Sequence, residues 1–203
     1  MKATTLLSLA SGMTIALGTV GLAQDGPAFD CAAAESSAEK LICDDPKLAA
    51  LDRRMATRFA AAVDVAQGLD VGSSVTEDLL RAYQRGWISG RDECWKQDDL
   101  RACVEWEYLY REGQLVAEFL LEPAQSVTEY TCDSGANLTV YAFPTELPSL
   151  RVEQGDSVGV GGAAGLDMPD TFYLRDMGTF VSSGDSAELT DPYGEPDSCR
   201  IAG

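Results

Sequence analysis

Six cysteines and 33 carboxylates are the side chains here that could do chemistry, and no histidine accompanies them in 203 residues. Without histidine the usual general base at neutral pH and the commonest metal ligand are both missing. With the cysteines paired, neither a Ser-His-Asp nor a Cys-His site can be assembled, and no metal or cofactor is expected. Carboxylate pairs could run glycosidase chemistry. However, 33 carboxylates in a chain this long form pairs by chance, so a carboxylate-dependent hydrolase ranks last among the readings and no catalytic residue is named. The cysteines say more. Cys31, Cys43, Cys94 and Cys103 lie in a stretch patterned for helices, whereas Cys132 and Cys199 bracket a Gly- and Asp-rich stretch patterned for strands. An even count becomes a disulfide framework only in an oxidising compartment.

The first residues supply that compartment. Lys2 forms a short positive region, residues 4–22 are modestly apolar, and Gly21 and Ala23 are small where a signal peptidase reads. Residues 1–23 therefore read as a signal peptide. Several Gly, Ser and Thr residues dilute the segment as a membrane span, and no cysteine at its end invites a lipid anchor, so no membrane anchor is expected. The product is expected to be periplasmic or secreted.

The formal charge is −18. From Asp25 to Glu122 there are 11 basic and 20 acidic residues, and from Pro123 onward 3 and 13. Both halves thus repel nucleic acid, whose phosphates require clustered Lys and Arg, and anionic lipid for the same reason. The same field steers a basic protein inward, over about 8 Å at physiological salt.

Four helices are expected to position the first four cysteines. Ser36-Ser37-Ala38-Glu39 has capping-box spacing and opens a short helix ending near Cys43. Asp44-Asp45-Pro46 restarts the chain, with Asp as N-cap and Pro at the first helical position. Leu48, Leu51, Met55, Phe59 and Val63 then form one apolar stripe. After a loop from Gln67 to Ser74, Ser74-Val75-Thr76-Glu77 repeats the capping-box spacing, and Leu80, Tyr83 and Trp87 continue the stripe as core residues. Asp98-Asp99 caps a fourth helix carrying Cys103, Trp106 or Glu107, Tyr110 and Ala117. Gly86 and Gly90, four apart, imply close helix packing. Cys31 with Cys43 and Cys94 with Cys103 read as local clips, although spacing also permits crossed pairing among the four.

Beyond a linker around Leu121 to Val127 the period changes. Short strands are expected at 127–132, 137–143, 149–154, 171–174, 179–182, 187–190 and 199–201, with turns at Asp133-Ser134-Gly135, Gln154-Gly155-Asp156 and Ser183-Gly184-Asp185. Many short strands suggest a small antiparallel barrel or sandwich, and a Cys132–Cys199 bond would join its first and last strands. Gly159-x-Gly161-Gly162 reads as a flexible hairpin connection, since no helix follows to make it a phosphate loop.

FDC at 29–31, EKLIC at 39–43, LAALD at 48–52, Gln84-x-x-Trp87-x-x-x-Arg91-Asp92-x-Cys94, and Cys103 followed by Tyr108, Arg111 and Leu115 resemble the N-terminal domain of the LprI-type lysozyme inhibitor family. The resemblance covers about 29–120 and implies an exported, all-helical, four-cysteine domain. Trp87, Tyr83 and Tyr108 are expected to be core, and Arg91 and Asp92 structural partners. YTC at 130–132, LTV at 138–140, Tyr173, Phe180, Ser182-x-Gly184-Asp185 and Cys199 resemble the membrane-bound c-type lysozyme inhibitor family over 128–203. That resemblance implies a small antiparallel β-barrel whose loops enter the lysozyme cleft at positions matching Pro169, Asp170, Tyr173, Ser182, Ser183 and Asp185. The chain departs from the family there. Pro169 replaces a loop Ser, Asp170 the following Gly, and Ser183 a turn Lys.

The fold class expected is therefore α+β in two modules, a disulfide-bonded helical domain and then a small antiparallel β-barrel. The function expected is binding and inhibition, by occlusion, of a c-type lysozyme or related muramidase. The competing reading is a periplasmic interaction module whose inhibitor loops have diverged. The partner expected is a basic protein such as a lysozyme, and the oligomeric state stays open.

Overall fold

The computed structural model describes residues 26–203; the segment read as a signal peptide, 1–23, lies outside them. Helices come first, then a closed barrel. A 3-10 turn at Cys31–Ala33 precedes α1 (Ser37–Asp44), α2 (Pro46–Gln67), α3 (Ser73–Asp92) and α4 (Leu100–Phe119). Local chemistry sets three of the four starts. The Ser36 hydroxyl accepts from the Glu39 amide while the Glu39 carboxylate accepts from the Ser36 amide, a complete capping box. The Glu35 and Ser36 amides both donate to the Glu39 carboxylate and hold it below the usual carboxylate range. Asp45 caps α2 ahead of Pro46, and Asp99 caps α4.

α3 begins differently. Its N-cap is Gly72 in the left-handed conformation, with no side-chain cap, and Glu77 pairs with Arg81 and Gln67 instead of capping. The capping box expected at Ser74 does not form. Gly86 and Gly90 correct the packing expectation as well, because a Cβ added to either would meet nothing within 4 Å.

The eight strands are β1 (Ser126–Cys132), β2 (Asn137–Phe143), β3 (Ser149–Gln154), β4 (Ser157–Gly165), β5 (Met168–Arg175), β6 (Gly178–Ser183), β7 (Ser186–Thr190) and β8 (Pro196–Ile201). All are antiparallel to their sequence neighbours, and β8 closes on β1 with Cys132 opposite Cys199. Three disulfides, Cys31–Cys43, Cys94–Cys103 and Cys132–Cys199, use every cysteine, which fits a non-cytoplasmic chain.

β4 was not among the strands expected. Residues 157–165 form a full strand, and its glycines are structural, so the reading of 159–162 as a flexible connection is wrong. A Cβ on Gly161 would strike the Tyr173 backbone across the β4–β5 ladder, and one on Gly162 would reach the Tyr110 ring at 2.9 Å. The interior alternates normally, with Tyr130, Leu138, Val140, Val152, Phe172, Leu174 and Phe180 filling it.

α4 joins the two modules. Its Gly113 lies so close to β3 that an added Cβ would stand 2.8 Å from the Ser149 Cβ. Val116 and Ala117 pack on Phe143 and Val160 from the outer barrel face. The other faces of α4 pack on the preceding helices, so core residues of both modules form one continuous cluster. Leu120, in the left-handed conformation, ends α4. Five residues later the Gln125 amide donates to the Ala142 carbonyl and the chain enters the sheet.

Candidate functional site

The six residues singled out from the sequence fall on β5, β6 and the β6–β7 turn. Pro169 and Asp170 open β5 and are exposed; Ser183 and Asp185 at the β6–β7 turn are exposed, and Ser182 is half-buried. In an up-and-down barrel the β4–β5 and β6–β7 turns lie at the same end. The register Thr171 to Val181 therefore brings the start of β5 beside the end of β6. Tyr173 lies farther along β5, 47% exposed, with its carbonyl accepting from the Tyr110 hydroxyl at 2.8 Å. Its side chain thus shares the outer face with the α4 seam and stands apart from the barrel end.

This barrel end is acidic and partly apolar. Asp167, Asp170 and Asp185 are exposed there, beside Leu166 at 66% and Met168 at 48% exposure. Burial, with the Asp185 charge second, pushes the Tyr130 hydroxyl above its ordinary value. A shallow groove of about 400 Å³ continues over the outer face of β6–β8, lined by Asp133, Ser183, Ser186, Glu188 and Arg200 among others. The arrangement offers hydroxyls, carboxylates and exposed apolar tips. It offers no nucleophile–base pair, and among the described residues no group of three His, Cys, Asp or Glu side chains could hold a metal. Among them, too, no helix is long and apolar enough to cross a membrane.

The helical residues carried by the motifs serve the core. Arg91, 3% exposed, donates to Asp92 at 2.7 and 3.0 Å and to the Tyr108 hydroxyl at 2.8 Å. Tyr108 in turn donates to Asp52 at 2.7 Å, and Asp52 also accepts from the Ala28 amide. Burial alone would lower the Arg91 pKa, but Tyr108 and Asp92 hold it above its ordinary value; burial first, and then Asp52, raise that of Tyr108. Trp87 sits edge-on to Tyr108 at 5.2 Å. A pocket of about 330 Å³ opens above this network, between Phe29, Phe59 and Trp87. Its buried polar floor is already satisfied, so the network reads as structure.

Tyr83 departs from expectation. It is 44% exposed, and the Arg175 guanidinium lies 4.7 Å from its ring centroid, a cation–π contact between helix and barrel. Arg175 also donates to Glu118 at 2.6 Å, and Arg54 bridges Glu112 and Glu146 at 2.8 Å each. The motifs did not single out Arg54, Glu118, Glu146 or Arg175. Their pairing spans up to 92 residues, and no local spacing announces it.

No protein-family profile matches the chain, and no solved structure matches it. Curated relatives do: Lipoprotein LprI of Mycobacterium bovis and of two strains of Mycobacterium tuberculosis, each 28% identical over 107 residues, covering 53% of this chain and 50% of the relative. The chain spans about half the length of the curated relatives it matches, and over that half it is LprI-like.

Proposed function

We propose that this chain is an exported, acidic binding protein that docks on a lysozyme or related muramidase and inhibits it by occlusion, without chemistry of its own. One observation carries the reading: the positions implied by the c-type inhibitor resemblance at Pro169, Asp170, Ser183 and Asp185 share one exposed barrel end. Similarity to Lipoprotein LprI over 107 residues supports it. The charge of −18 supports a basic partner. The test is turnover of peptidoglycan by a c-type lysozyme with the mature protein, at low and high salt. Inhibition that weakens with salt is expected; no association even in dilute buffer refutes the reading.

The substitutions at the loop positions favour a second reading, an interaction module that no longer inhibits lysozyme. A hydroxyl and a cation are replaced by Pro169 and Ser183, and Asp170 adds a negative charge where the family's partner presents carboxylates. Losing one side of a buried charged contact costs about 2–5 kcal/mol. The combined Pro169→Ser, Asp170→Gly and Ser183→Lys change therefore raises affinity for lysozyme at least about 30-fold if that end is the docking surface. No gain points to another surface.

A further inference from the structure

Of the four α-helices, α3 is the least covered. Only Leu80 and Arg91 of its 20 residues are buried, whereas α2 buries eight residues and α4 nine. Its face away from the core is apolar. Val75 is 62% and Leu79 54% exposed, and Ala82, Gly86 and Gly90 are exposed with them. At 3.6 residues per turn these five positions fall within an arc of about 80°, and the half-exposed Tyr83 borders it. The space over Gly86 and Gly90 is open.

Charge selects what fits this face. Glu77, Asp78 and Asp92 balance Arg81, Arg85 and Arg91, so α3 carries no net charge in a chain of −18. Arg81 pairs with Glu77, and Arg91 with Asp92. Asp78 and Arg85 have no ion-pair partner among the described residues. Both flank the same side of the apolar arc, about two turns apart. A face with an apolar centre and one unpaired charge of each sign on one flank is complementary to itself, as a two-fold contact requires.

We propose that two copies of this chain associate through α3, antiparallel about a two-fold axis beside Ala82. Under that symmetry each residue meets the position equally far beyond the axis. Val75 then seats against Gly90 of the second copy, Leu79 against Gly86, and Asp78 faces Arg85. The large side chains of one copy fill the space that the glycines of the other leave open, and the two helices approach closely. Elsewhere the acidic surface draws a basic protein and repels a second copy. At this neutral face the repulsion is relieved, and a basic partner has nothing to prefer. None of these residues belongs to the barrel end.

Sedimentation equilibrium of the purified, oxidised protein tests this. One helix face is smaller than a standard interface, so a weak, reversible dimer is expected, populated well above the micromolar concentrations of unfolding work. The series is carried to roughly 1 mM. Leu79→Asp is expected to leave a monomer. Asp78→Arg and Arg85→Glu each set like charges against each other twice, and each is expected to weaken the dimer about 10-fold. An equimolar mixture of those two variants restores opposite charges at both places and is expected to recover wild-type association. All three positions are exposed, so unfolding midpoints are expected to stay near the wild-type value. A monomer at every concentration overturns the proposal. So does a dimer that survives Leu79→Asp, and so does a mixture that associates no better than its components.

Discussion

Replacing Gly113 by alanine sets two physical rules against each other. Helix propensity alone favours alanine by about 1 kcal/mol in a helix interior. The structure predicts the opposite sign, because the new Cβ would lie 2.8 Å from the Cβ of Ser149, which is itself 1% exposed. The Ser149 Cβ is fixed to a barrel strand and cannot swing away, so α4 must lift from β3 or the strand must bend. Overpacking of this kind costs about 2–3 kcal/mol, leaving Gly113→Ala destabilised by about 1–2 kcal/mol after the propensity gain. Gly86→Ala and Gly90→Ala lie on an open helix face and are expected to stabilise by about 0.5–1 kcal/mol each. Urea unfolding of the oxidised protein separates the three variants. Ser149→Gly removes the opposing Cβ and is expected to offset most of the Gly113→Ala penalty in a double-mutant cycle. If Gly113→Ala stabilises the protein as Gly86→Ala does, the close seating of α4 on β3 is wrong.

Tyr108→Phe leaves Arg91 Nη1 and one Asp52 oxygen without their buried partner; a loss of about 2–3 kcal/mol in unfolding free energy is expected, and a neutral result would show that solvent reaches the network. Burial raises the Glu107 carboxyl above its ordinary value. A raised carboxyl pKa means that the fold holds the proton longer than the unfolded chain, so this group's contribution falls as pH rises from the ordinary carboxylate value through the folded one. Glu107→Gln is therefore expected to flatten the unfolding midpoint between pH 4.5 and 7, and an unchanged slope would exclude Glu107 as its source.

The sequence was readable where local chemistry decides. Ser36, Asp45 with Pro46, and Asp99 cap helices because each acts on amides within three residues. Alternation at Leu138 and Val140 marks β2 because one face of that strand is apolar and the other is not. β4 hides because its outer face is covered by α4 and its glycines exist to admit neighbouring atoms. Gly161 needs the Tyr173 backbone, and Gly162 needs Tyr110; neither neighbour is visible from a window of nine residues. α3 starts two residues ahead of the capping box expected at Ser74 because Gly72 turns the chain through a left-handed conformation, while Glu77 is claimed by Arg81. Tyr83 looked like core by its spacing, and its true partner, Arg175, comes from the other module. For the candidate barrel end, turn chemistry at Ser183-Gly184-Asp185 was legible, but its adjacency to Pro169 and Asp170 depends on the strand register.

The trough that β3 and β4 offer to α4 also bears on how this protein can be cut. A fragment starting at Ser126 would present Phe143, Val160 and the Gly162 surface of β4 to water with their covering helix gone. Such a piece would seek another apolar partner, its own copy included, so its stickiness would masquerade as recognition. Loss-of-function experiments on this molecule belong to point changes in the whole chain, and grafting the barrel elsewhere requires carrying α4 along with it.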